Sequence, residues 1–225
     1  MRSPLCIVLP VLNEAATLEA TLQSLAPLRL RGAAVVVVDG GSTDATMDLA
    51  RPHADVVMAS ARGRAAQMNA GAAVGLGDVL LFLHADTTLP DQADQCVTQA
   101  LAAGHAWGRF DVRIAGSHWM LPVVATLMNG RSRWTGIATG DQALFMRREV
   151  FEHLGGFAAQ ALMEDIDMSK RLRAWGAPAC IRQPVRTSGR RWEQRGVWRT
   201  IFLMWRLRWR YWRGESPDRL AQDYR

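Results

Sequence analysis

Three stretches of the chain are apolar at every position. They are Leu5 to Leu9, Ala34 to Val38 and Val79 to Leu83. Continuous runs of this length, closed by Pro10, Asp39 and the His84-Ala85-Asp86 triplet, read as strands buried on both faces. Between them the apolar period changes. Leu18, Leu22 and Leu25 recur at helical spacing after Asn13-Glu14, and a second helix runs through Met47 and Leu49. Asp55 to Met58 reads as a short strand, and the Ala- and Met-rich Gly63 to Ala73 as a helix. Strands alternating with helices predict βαβ units, a mostly parallel sheet and an α/β fold.

Beyond Asp91 the pattern becomes mixed. Asp91 to Ala103 and Trp119 to Met128 read as helices, and Trp107 to Ile114 alternates like a strand. Ala143 to Met146 is another strand. Gly155-Gly156 breaks the chain before an acidic cluster, Glu164-Asp165-Ile166-Asp167, at the start of a helix that continues through Met168 to Trp175. Ala179 to Val185 is the last strand. This divides the sequence into a domain over 1–190, with a nucleotide-binding N-terminal half, and an Arg/Trp-rich helical appendage over 191–225 packed on it.

The chain has 225 residues, 49% of them hydrophobic, enough for one sizeable core. It carries 27 basic against 21 acidic side chains, and Lys170 is its only lysine. Arginine favours phosphate recognition through its planar fork. Cys6, Cys96 and Cys180 are dispersed and odd in number, which fits a reducing cytoplasm and neither a disulfide framework nor a metal cage. No leader-like segment opens the sequence, and no apolar run reaches membrane-spanning length.

Chemistry concentrates where strands end. Asp39 and Asp86 close two predicted parallel strands, so both belong to the sheet edge where α/β folds bind ligands. The loop Gly40-Gly41-Ser42-Thr43-Asp44 has backbone suited to a nucleotide, but neither a Walker lysine nor dinucleotide-type glycine spacing; a plain helix cap explains it equally. Arg62, Arg64, Gln67 and Asn69 form either a solvated helix face or a cationic wall for a diphosphate. The acids at 164, 165 and 167 suit a helix N-terminus electrostatically, and equally a general base.

Six segments in one order resemble the family 2 glycosyltransferases of GT-A fold. They are Ile7 to Glu14, Val37 to Asp44, Gly63 to Ala72, Leu81 to Asp86, Gly140 to Gln142 and Met163 to Asp167. The Q-M-N-A-G and H-A-D forms are similar to a small bacterial subgroup associated with radical-SAM genes and arsenosugar biosynthesis. The resemblance implies an inverting transfer from a nucleotide-sugar donor to an acceptor hydroxyl. Asp165 would be the base, and Asp86 would hold Mg²⁺ or Mn²⁺ on the diphosphate. Pro10, Glu14, Asp39, Arg64, Asn69, Asp141, Gln142 and Arg191 would line the donor and acceptor sites. His84 stands where the family's D-x-D motif has its first acid, and Gly40 where a second acid commonly follows Asp39. The alternatives are a sugar-phosphate nucleotidyltransferase, which would need a Gly-rich basic loop after the first strand, and a non-catalytic nucleotide-binding module, which would not need Asp165.

In Val197 to Arg213, Trp198, Ile201, Phe202, Trp205, Trp209 and Trp212 share one helical face beside a stripe of Arg199, Arg206, Arg210 and Arg213. Leu203, Leu207 and Tyr211 take much of the remainder. A helix apolar on this many sides packs on the domain with one side. Its other side is an ordinary packed surface with snorkelling arginines, a contact with an anionic membrane, or a homodimer interface. No nucleic-acid recognition motif accompanies the charge.

Overall fold

The computed structural model describes residues 5–224. Its centre is one eight-stranded sheet. The elements in chain order are β1 (Leu5–Val11), α1 (Leu18–Ser24), α2 (Ala26–Leu30), β2 (Ala34–Asp39), α3 (Thr46–Ala50), β3 (Val56–Ala59), α4 (Arg64–Val74) and β4 (Val79–Phe82). They continue with β5 (Thr87–Thr88), α5 (Ala93–Ala102), β6 (Trp107–Ala115), α6 (Met120–Thr135), β7 (Phe145–Arg147), α7 (Arg148–His153) and α8 (Glu164–Leu172). The last are β8 (Ala179–Ser188), α9 (Arg190–Arg195), α10 (Val197–Trp212) and α11 (Pro217–Tyr224).

The strand order is β3-β2-β1-β4-β7-β6-β8-β5. The first four strands are parallel. β7 runs antiparallel to both β4 and β6, so the sheet turns mixed where the apolar pattern lost its regularity. Alternation along β1 shows why its run is wholly apolar. Leu5, Ile7 and Leu9 enter one core with Leu18, Leu22, Leu121 and Val124. Cys6 and Val8 enter the other with Met68, Ala72, Phe151 and Met168. Both faces are covered by helices, as a buried parallel sheet requires. Gly71 lets α4 lie close on the sheet, since a Cβ there would overlap Val8 and Val38.

Four expectations change. Pro10 does not end the first strand, which pairs with β2 through Val11↔Asp39. Pairing with β4 stops at Val8↔Phe82, so the N–H that proline lacks is not needed on that side. Asn13-Glu14 does not open the first helix. Asn13 takes φ 53° and the helix begins at Leu18. The helix expected to run on to Trp175 ends at Leu172, and a 3-10 turn covers Arg173–Trp175. The helix from Trp119 extends beyond Met128, to Thr135.

Candidate active site

Side chains join the C-terminal ends of β1 and β2. Gln67, 4% exposed on α4, donates its amide to Val11 O and Val38 O, both at 2.8 Å. Asn13 N–H donates to Ser42 Oγ, and Thr43 N–H returns a bond to Asn13 Oδ1, each at 2.8 Å. The Asp39 carboxylate accepts from Gly41 N and Ser42 N at 2.9 Å and from the Ser42 hydroxyl. Asp39, 2% exposed, therefore shapes its own loop.

Asp86 follows β4. Its carbonyl accepts from Ser188 N at 3.1 Å, which brings the end of β8 beside it. The chain then turns into α9, where Arg190 reaches Glu14 at 3.5 Å and Arg191 stacks 4.5 Å over the Tyr224 ring. Arg191 acts electrostatically with Asp86, Asp141 and Arg64, so these four groups share one region. Next to them His84 Nδ1 lies 3.2 Å from Asp141 Oδ1. Gly140 fits flat against that imidazole, where any Cβ would collide. Burial opposes ionisation of Asp141. The bond from His84 and the charges of His84, Arg64 and Arg191 outweigh it and hold the carboxyl below its usual range.

Asp165 opens α8. Its Oδ2 accepts from Gly140 N at 2.8 Å and its Oδ1 from Ile166 N at 2.7 Å. Burial pushes its pKa up, Asp141 adds to this, and the two backbone donors and Arg64 only partly offset it. Glu164, 5% exposed, is also pushed up, first by burial and then by Asp165, against the pull of Arg64 at 3.8 Å. A carboxylate whose proton affinity is raised in a crevice is a stronger base than a free one. Among the described residues, the non-glycine residues with positive φ are Asn13, Ala143 and Met163, and each adjoins one of these loops. Backbone held in this costly region marks segments whose shape is fixed by their surroundings.

Asp39, Arg64, Asp86, Asp141, Asp165 and Arg191 thus gather at one sheet edge, with Glu14 at its rim. Three other expected site residues are placed differently. Gln142 is wholly buried and closes its own turn onto Thr139 N at 3.1 Å, with Asn129 beyond. Asn69 spends both ends of its amide on Phe157, at 2.9 and 2.8 Å. Pro10 lies inside the strand. Arg131 was not anticipated. Its Nε and Nη2 are buried without a hydrogen-bond partner, and it acts electrostatically with Asp165. In a chain this rich in arginine, an arginine two residues from Arg133 carries no sequence signal for such a position. A separate cleft of about 640 Å³ lies at the opposite ends of the strands. Of the charged residues lining it, Asp94 pairs with Arg31 and Arg147 bonds to Leu101 O.

Among the described residues no three His, Cys, Asp or Glu side chains converge as a preformed metal cage. Asp86 and Asp141, both within the field of Arg191, are carboxylates that this edge offers.

The profile described as glycosyl transferase family 2 matches residues 6–155, from the first strand through α7. The chain belongs to glycosyltransferase family 2. A relative, the succinoglycan biosynthesis protein ExoA of Rhizobium meliloti (strain 1021), is 33% identical over 187 residues. That match covers 74% of this chain and 57% of the relative, so the chain spans little more than half of that protein's length. Among solved structures, S. aureus TarS 1-349 in complex with UDP superposes with TM-score 0.67 at 16% identity, covering 82% of this chain and 60% of TarS. The mannosyltransferase PcManGT from Pyrobaculum calidifontis in complex with GDP-Man and Mn²⁺ gives TM-score 0.61 at 24% identity, covering 84% and 57%. These likenesses show the GT-A fold.

Proposed function

We propose that this family 2 enzyme moves a sugar from a nucleotide-diphosphate donor to an acceptor hydroxyl with inversion, and that a divalent cation assists. The observation that carries the reading is the convergence of Asp165, raised by burial, with Asp86, Asp141, Arg64 and Arg191 at one edge. The nucleoside lies along the Asp39 loop, and Arg64 and Arg191 face the diphosphate. Asp86 is the residue that would hold Mg²⁺ or Mn²⁺, and the ion would supply charge stabilisation for the leaving diphosphate. Asp165 takes the proton of the acceptor hydroxyl. The oxygen then forms its bond to the anomeric carbon as the carbon–oxygen bond to the diphosphate breaks. One displacement inverts that carbon and needs no nucleophilic carboxylate.

The loop after β1 contains Asn13 and Glu14 and no basic residue, so it lacks what a nucleotidyltransferase would place there. The resemblance of the Q-M-N-A-G and H-A-D forms to the arsenosugar-linked subgroup concerns donor and acceptor, which a substrate screen assigns. No helix among the described residues is long and apolar enough to cross a membrane. A cytoplasmic enzyme seated peripherally on the membrane's inner face is the localisation we propose.

A melting screen against the common nucleoside diphosphates, with and without Mn²⁺, tests donor recognition. A ligand at ~100 times its Kd stabilises by about 2.7 kcal/mol, which raises the Tm of a chain this size by roughly 5–10 °C. We expect one nucleotide to do this, and to do it better with Mn²⁺. Equal, negligible shifts from all of them would count against the reading.

A further inference from the structure

The function above leaves α10 unexplained. Its inner side is spent on packing. Leu203, Met204, Leu207 and Tyr211 join Leu162, Met163 and Ile166 in one cluster, directly beneath the segment that carries Asp165. Lys170 of α8 lies 4.7 Å over the Tyr211 ring. Its outer side is covered by nothing in the described chain. Trp198, Phe202, Trp205, Trp209 and Trp212 recur at three- and four-residue steps and are 54%, 65%, 64%, 57% and 75% exposed. Five large aromatic rings aligned and over half exposed make a contiguous apolar patch of the kind that marks an interaction surface.

Charge identifies the occupant. From Val197 to Arg213 there are five arginines and no acidic residue. Arg210 is held inward by Glu215 and Asp223. Arg199, Arg206 and Arg213 are exposed beside the rings, and Arg213 stacks 5.1 Å over Trp209. A second copy docked face to face would bring the same arginines together with no acid on the stripe to pair them. Tryptophan, with an apolar body and a polar N–H, suits the boundary between acyl chains and headgroups. An arginine stripe beside it suits anionic headgroups. Trp119, 70% exposed, sits just beyond Ser117, which Glu193 of α9 clamps through backbone and hydroxyl at 2.7 and 3.0 Å, so a further exposed ring is anchored to the same region.

We propose that the outer face of α10 is a docking surface for an anionic lipid bilayer, entered by the Trp198–Trp212 rings and held by Arg199, Arg206 and Arg213. One helix thickness, about 10 Å, then separates the bilayer surface from the segment bearing Asp165. This proposal is independent of the donor and of the reaction.

The test is sedimentation of the whole chain with phosphatidylcholine vesicles, with and without about 30% phosphatidylglycerol, in ~0.02 M and ~0.5 M salt. We expect binding to the anionic vesicles at low salt, release at high salt, and quenching of tryptophan fluorescence by brominated lipid. Trp205→Ser with Trp209→Ser should abolish binding and quenching. Replacing Arg199, Arg206 and Arg213 by Gln should lower partitioning by on the order of 10²-fold, at about fivefold for each charge. Both sets alter exposed side chains, so unchanged melting and donor binding verify the fold. Equal binding to neutral vesicles, unchanged partitioning of the variants, or no sedimentation at low salt would each overturn the proposal. So would a dimer in light scattering that the Trp variant dissociates, because the face would then belong to a second copy.

Discussion

Replacing Asp165 with asparagine should lower turnover by about 10²–10⁴-fold, the usual range for removing a general base, and leave donor binding near its original strength. The side chain accepts from Gly140 N and Ile166 N in the structure. Asparagine keeps an oxygen for one of those two donors, gives up the bond to the other, and can no longer take a proton. The loss belongs in kcat because the proton moves in the transition state. Its neighbours give the contrast. Glu164 pairs with Arg64 across the crevice mouth. Asp167 pairs with Arg171 at 2.8 Å, and Arg171 holds Leu154 O and Gly156 O. Asp167→Asn should therefore cost stability more than turnover, and Glu164→Gln should mainly weaken the donor site.

The pH profile carries the same assignment. Burial raises the Asp165 pKa, and the base works only when deprotonated. Activity should rise with pH through a value above the ~3.9 of an unperturbed aspartate. The same shift sets a stability trend, because keeping this acid ionised in its buried place opposes folding: stability is greatest while Asp165 is protonated and declines as pH rises through its folded-state pKa. An activity limb at the ordinary aspartate value, measured as kcat against pH, would remove Asp165 from the role.

Asp86→Ala should reduce donor affinity in Mn²⁺ by on the order of 10²-fold, since a bound cation contributes several kcal/mol against a diphosphate. Affinity without metal should change little, because the Asp39 loop and the arginines remain. Adding a chelator to the native chain should reproduce the variant. The side chain makes only a 3.4 Å contact with its neighbour Thr87, so its removal leaves no broken network. Calorimetry with and without Mn²⁺ reads the difference directly. Equal metal dependence in both proteins would take the ion away from Asp86.

Much of this site was legible because strand ends are legible. Leu5–Leu9, Ala34–Val38 and Val79–Leu83 are apolar on both faces, so Asp39 and Asp86 had to emerge where the runs stop. The acids of α8 stood out through composition alone. The residues that were misplaced share another property: their partners are distant in sequence. Gln67 bonds to Val11 O, Asn69 to Phe157 and Gln142 to the Asn129 side chain, and an amide bonded to distant groups looks locally like any solvated amide. Arg131 was hidden for the same reason, since burial depends on packing that no local period reports. Elements as short as β5, with two residues, and α7, with six, carry no period to read. Pro10 misled because its missing N–H matters only where a neighbour needs it.

The most direct test of the central claim is the configuration of the first sugar released. Water serves as a surrogate acceptor in slow donor hydrolysis, so the experiment needs no knowledge of the natural acceptor. The donor that passes the melting screen is incubated with enzyme and Mn²⁺, and the anomeric proton is followed by NMR before the sugar equilibrates. The account predicts that the anomer opposite to the donor's forms first, at a rate that collapses in Asp165→Asn. First release of the retained anomer, or release that is indifferent to Asp165, would contradict it.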